Sequence, residues 1–229
     1  MEFKNTEVWG FKHALRGMRN PKDSWDKSDS EYWLPNKFME ENVSGEDIEW
    51  APYHIGKNDM KLAQTLIKAG NEHCKFMRMI HVSADVDMPR YWWSEADTYH
   101  FNTKNSCSTM HKLLNRNTPI TLGMFVICEE DLDIAQIVVE RLEQLRQEYK
   151  SIQSTTKDNK EMNRLLLRAK RLLMEGFLQM RTWDTSYAEI RSMYFQRKHH
   201  RLEEEWVNTF CNWVESLPYS KEFIIYEGE

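Results

Sequence analysis

Cysteine is sparse in this chain and carries no pattern. Four are present, at Cys74, Cys107, Cys128 and Cys211, without a CxxC pair or a metal-ligand spacing. That argues against a disulfide framework and a zinc site, and the four read as reduced thiols of a cytoplasmic protein. Long apolar runs are missing too: no stretch approaches a membrane span, and the opening MEFKNTEVWG has no signal-peptide core. There is no excess of positive charge. Lys and Arg number 31 against 36 Asp and Glu, a net charge of −5, which argues against a general nucleic-acid binder but leaves room for a local basic site. Internal repeats, low-complexity segments, a Ser-His-Asp set and a metal cluster are also lacking.

What is present is a chain of 229 residues, enough for one large domain or two small ones. Hydrophobic content is 41% with a mean hydropathy of −0.73, a combination that long charged helices explain. An opening strand leads into HALRGMRNP, a short helix with solvated Arg16 and Arg19 that stops at Asn20–Pro21. Residues 25–30 read as a turn-rich loop in which Asp29 or Ser30 caps a following helix. Residues 36–58 read as irregular. Asp59 to Ala69 reads as a helix capped by Asn58 and ended by Gly70. Phe76 to Val86 alternates like a half-buried strand, with His73 and His81 near its two ends. Pro89 opens a helix whose Trp92 and Trp93 are core residues. Glu129 to Gln153 and Glu161 to Leu178 form a helical hairpin, with Ile134, Ile137, Val138, Leu142 and Leu145 as the stripe of its first arm. Glu203 to Leu217 is a last helix, with Trp206, Phe210 and Trp213 on one side.

Ala169 to Trp206 is the most informative stretch. It reads as two helical runs with a break near Thr182–Thr185. Lys170, Arg171, Arg181, Arg191, Arg197, Lys198 and Arg201 are interleaved there with Met, Leu, Phe, Tyr and Trp. Guanidinium groups fork onto phosphate and aromatic faces cover rings, so the pattern suits a planar anionic ligand. Ser186, Ile190, Met193, Arg197 and Arg201 share a helical face. The alternative pairs these arginines with Glu203, Glu204 and Glu205 on a solvated surface.

The same stretch resembles the C-terminal part of the flavin-dependent thymidylate synthases. Ala169, Lys170, Leu173 and Met174 stand where that family has Ala, Arg, Leu and Pro, so Lys170 and Met174 are departures. Trp183 matches the family's Trp, and Arg197 its nucleotide-holding Arg. Ala14 to Arg19 is similar to the early Ala-x-Arg-x-x-Arg segment. His81 matches a His-Val pair, and His73 stands near a His at the flavin's adenine end. Arg90, Trp92 and Trp93 match Arg-Gln-Trp-aromatic. The Arg-His-Arg that follows in the family is replaced by Ser94-Glu95-Ala96.

The resemblance implies an α+β fold in a single domain spanning 1–229, a small mixed sheet packed by helices with a long helical hairpin. It implies methylation of dUMP to dTMP with FAD as cofactor and NADPH and methylenetetrahydrofolate as cosubstrates. Arg90, Lys170 and Arg197 are the implied substrate ligands; His81, Ser192, Arg201 and His73 are the implied cofactor ligands. No metal, nucleic acid or membrane is implied, and the family's assembly is a homotetramer. The altered signature keeps two alternatives: a related flavin enzyme with another pyrimidine or one-carbon product, and a non-catalytic nucleotide-binding assembly protein. It also suits a phage-like relative.

Overall fold

Burial alternates with period two along His81–Pro89, where Val82, Ala84, Val86 and Met88 are buried and His81, Ser83, Asp85 and Asp87 face the other way. In the computed structural model, which describes residues 1–32 and 53–228, this is the second strand of a four-stranded sheet. In chain order the elements are β1 (Glu2–Trp9), α1 (Phe11–Arg19), β2 (Glu31–Tyr32), β3 (Tyr53–His54), α2 (Lys57–Lys68), β4 (His81–Pro89), α3 (Arg90–Ala96), β5 (Asn102–Ser106), α4 (Thr109–Lys112), α5 (Leu132–Ser154), α6 (Asn159–Leu172), β6 (Leu178–Ser186), α7 (Tyr187–Arg197) and α8 (Asn212–Glu215). The sheet order is β1-β4-β6-β5, and β2 pairs with β3 antiparallel, Tyr32 opposite Tyr53. Thr182 bonds Asp85, Asp184 bonds Ser83 and the Tyr187 N–H donates to Ile80, so β4 and β6 run antiparallel. The α+β class with a small sheet and a helical hairpin holds.

The chain divides into two compact units. One holds Met1–Lys4, Asp85–His100 and Lys104–Trp183; the other holds Asn5–Ala84, Phe101–Thr103 and Asp184–Glu229.

In the first unit, α5 and α6 form the expected hairpin. Ala135, Val139, Leu142 and Leu145 pack with Leu165, Ala169, Phe125 and Phe177. Of the expected stripe Leu142 and Leu145 are buried and Val138 packs against the core, but Ile134 and Ile137 are 61% and 68% exposed, and Ala135 and Val139 take the buried places in the first turns. At about 100° per residue Ile137 points away from the Ala135–Val139–Leu142 face, and Ile134 falls at the edge of it. The second arm is shorter than expected, ending at Leu172, and residues 178–186 are a strand rather than helix. Gly176 forces the change. Its carbonyl accepts from the Val126 N–H at 2.8 Å, and a Cβ there would lie 2.2 Å from the Val126 oxygen. Past that crossing, Thr182, Trp183 and Thr185 favour extended chain. Trp92, Trp93 and Trp183 are fully buried in edge-to-face contact, the core role expected of the first two.

In the second unit, α1 is not flanked by solvated arginines only. Arg19 is 3% exposed and donates Nε to Asp59 of α2 at 2.5 Å; Ser28 and Ser30 donate to the other Asp59 oxygen. Gly56, and not Asn58, is the N-cap residue of α2. Asp29 accepts from the Asn58 and Asp59 N–H groups of its first turn, a contact made from 29 to 30 residues upstream rather than as the residue that starts a helix. Of the segment read as irregular, 36–52 lies outside the described residues. Residues 75–79 form a 3₁₀ turn, and the strand starts only at His81, because Phe76 and Met77 are both buried and break the alternation. Glu203–Cys211 is a π-helix that runs into α8, with Trp206, Phe210 and Val214 buried at a spacing of four. Trp213 leaves that face and donates to Thr6 at 3.0 Å.

Candidate functional site

The second unit carries a cleft of about 810 Å³. That is the size range of cofactor and substrate sites. One wall is α7, which Ser186 starts by accepting from the Glu189 N–H. Ile190 and Met193 turn into the core, which leaves Ala188, Glu189, Arg191, Ser192, Phe195 and Gln196 on the cleft. Asn71, Cys74, Met77, Arg78 and His81 line it from the 3₁₀ turn and the start of β4, and Phe101, Asn102 and Thr103 from the start of β5. Phe101 is 79% exposed, an apolar ring presented to solvent at the cleft.

The imidazole of His81 is held on two sides. Trp9 stacks on it at 5.6 Å, and Asp184 lies 3.7 Å from its Nδ1; Asp184 is fixed in turn by the Ser83 hydroxyl at 2.8 Å. Burial pushes the Cys74 thiol up, although Arg191 and Arg78 pull it down. Arg191 is itself disfavoured by burial.

The residues singled out from sequence fall in three places. His81 and Ser192 line the cleft. Arg197 lies with its guanidinium 4.4 Å over the Trp206 ring, outside the cleft lining, and Arg201 and His73 are exposed. Arg90 and Lys170 belong to the first unit. Arg90 pairs with Glu175 at 3.2 Å, and Lys170 donates to the Thr109 hydroxyl. Burial lowers the Lys170 pKa and the nearby charge of Arg90 adds to this, so the two cations are neighbours. Arg78 and Phe101 were not singled out, and Arg191 stood only as one of the seven cations of the 169–206 stretch; it lines the cleft from a position off the Ile190–Met193 face.

Where the family signature has Arg-His-Arg, Ser94-Glu95-Ala96 ends α3. The next residue, Asp97, accepts from Arg181 at 3.0 Å and meets Lys104 at 3.3 Å. Among the described residues no cluster of His, Cys, Asp or Glu suits a metal, and no helix is long and apolar enough to cross a membrane.

The whole chain has the fold of the flavin-dependent thymidylate synthases. Two crystal structures of that enzyme from Helicobacter pylori, each with FAD and dUMP, superpose at TM-scores of 0.64 and 0.63. Identities are 15% and 13%; the alignments cover 97% and 100% of this chain and 96% and 98% of the enzyme. No protein-family model and no curated protein matches the sequence.

Proposed function

We propose that this protein is a flavin-dependent enzyme that methylates a pyrimidine nucleotide, with dUMP as the substrate to be tested first. The observation that carries the reading is the end-to-end likeness to an enzyme solved with FAD and dUMP. The cleft of the second unit fits the cofactor in volume and in its mix of groups: rings at Phe101 and Phe195, guanidinium groups at Arg78 and Arg191, hydroxyls at Ser186 and Ser192. FAD, when bound and reduced, supplies hydride. The protein's own work is to orient and to neutralise. His81, fixed by Trp9 and Asp184, presents a ring N–H or lone pair to the cleft, and Ser192 a hydroxyl. His73 and Arg201 are the outlying cofactor ligands in this reading. Arg90, Lys170 and Arg197 are the proposed ligands of the nucleotide phosphate or base. The stack on Trp206 sets the plane of the Arg197 fork. NADPH and methylenetetrahydrofolate are the proposed reductant and carbon donor. A homotetramer is the proposed assembly, supported by the apolar Ile134 and Ile137 exposed on α5.

Equilibrium dialysis with FAD, followed by calorimetric titration of dUMP, tests the reading. Saturable binding of both supports it, and a folded protein that binds neither overturns it. Light scattering tests the assembly, and a monomer across micromolar concentrations counts against it. One observation favours a related flavin enzyme with a different pyrimidine or one-carbon product. The Ser94-Glu95-Ala96 segment puts a carboxylate where the family signature has cations, and Asp97 beside it holds Arg181 and Lys104. FAD binding without dUMP binding selects that reading.

A further inference from the structure

Two guanidinium groups reach the cleft from different elements, Arg191 from α7 and Arg78 from the 3₁₀ turn at 75–79. Both act on one buried side chain. The positive fields of Arg191 and Arg78 each favour the thiolate of Cys74. Cys74 lines the same cleft as both arginines.

Arg191 is fixed from behind. Its Nη1 donates to the carbonyl oxygens of Ile224 at 2.5 Å and Phe223 at 3.2 Å, and its plane lies 4.7 Å over Phe195. Phe223 and Ile224 are fully buried, so these acceptors are held by the core. Carbonyl oxygens are neutral: they orient the guanidinium without cancelling its charge. Arginine does not shed its proton at physiological pH. A half-buried charge is costly; the field of Glu227 offsets part of that cost for Arg191, but Glu227 is itself paired with Lys198 at 2.9 Å, and an anion in the cleft reduces the remainder. The carboxylates of the cleft are placed otherwise. Asp184 is engaged by Ser83 and His81, and Glu189 stands in the first turn of α7.

We propose that Arg191 and Arg78 form the subsite for the phosphate groups of the ligand bound in this cleft, and that the C-terminal segment Ser220–Ile224 positions Arg191 through its carbonyl groups. The subsite takes a compact polyanion such as a diphosphate; that the diphosphate belongs to FAD rests on the function proposed above.

The test uses the full-length protein with inorganic pyrophosphate, FAD and riboflavin, the last having the ring system without phosphate. Arg191→Gln and Arg78→Gln should each weaken pyrophosphate and FAD by about ten- to a hundredfold, the range of a lost charged hydrogen bond. Riboflavin affinity should not change. Arg191→Lys should recover part of the loss, because an ammonium cannot bridge two carbonyls and a phosphate in one plane. Exposed Arg78 can be replaced without touching the core, so the test survives if Arg191→Gln fails to fold. Pyrophosphate binding that depends on these arginines, in a protein that ignores FAD, upholds the subsite and removes the flavin reading. FAD binding unaffected by either substitution removes the subsite and leaves the flavin reading. Equal losses for FAD and riboflavin, or no pyrophosphate binding in the wild type, also overturn the subsite.

Discussion

Replacing Asp59 by alanine strands a charge in the core of the second unit. Asp59 is fully buried and accepts from Arg19 Nε, Ser28 Oγ and Ser30 Oγ at 2.5–2.6 Å. Arg19 is 3% exposed; it also donates to the neutral Ser24 carbonyl at 3.2 Å, and another carboxylate whose field it shares, Asp29, is already bonded to two backbone N–H groups. Removing one member of a buried pair costs about 3–5 kcal/mol, because the survivor stays desolvated and unpaired. For a chain of this size each kcal/mol moves the melting temperature by about 2–4 °C, so Asp59→Ala should lower it by about 6–20 °C. The double variant Arg19→Met with Asp59→Leu removes both charges. What it still loses is an acceptor for two serine hydroxyls, about 1 kcal/mol each, and these part-buried groups can turn toward water. The double variant should therefore be more stable than Asp59→Ala alone. Urea unfolding of the wild type, Arg19→Met, Asp59→Leu, their double variant and Asp59→Ala measures this. An Asp59→Ala loss below about 1 kcal/mol, or a double variant as unstable as the summed singles, would refute the argument.

Glu143 accepts from Arg146 through both oxygens and from the Ile120 N–H, contacts that bring its pKa down to about 2. A depressed carboxylate stabilises fully above its unfolded value near 4.5 and loses that contribution as pH falls toward about 2; urea midpoints should therefore drop more steeply over that window in wild type than in Glu143→Gln. Gly176→Ala sets a Cβ 2.2 Å from the Val126 oxygen and should cost at least about 1–3 kcal/mol by thermal unfolding, with the damage confined to the first unit. Arg197→Ala should weaken dUMP by about ten- to a hundredfold in calorimetry; unchanged affinity with a lowered melting temperature would make Arg197 only a brace for Trp206.

Local signals in the sequence carried well where one element decides the outcome. The α2 helix forms with its Gly70 stop and buries Ala63 and Ile67, and the Trp92–Trp93 pair is core. Signals failed where a distant segment decides. The crossing of Gly176 over Val126, fifty residues upstream, turned an expected helix into β6, and nothing in LQMRTWDTS announces that contact. Arg19 reads as a surface arginine until Asp59, forty residues on, is placed against it. The cleft is similar: His81 and Ser192 were found through resemblance, whereas Arg191 owes its position to carbonyls more than thirty residues later.

The placement of the four thiols makes the protein its own reporter of local opening. Exposed Cys107 and Cys128 both lie in the first unit, while buried Cys74 and Cys211 both lie in the second. Burial raises both of the latter, Cys211 to about 12, so neither is a competent nucleophile while covered. A thiol reagent should therefore modify two sites at once and the other two only as fast as their surroundings unfold. The slow phase reads the opening free energy of the second unit without any introduced label. A ligand that binds in the cleft of the closed form only should lengthen that phase by the factor one plus its free concentration over Kd.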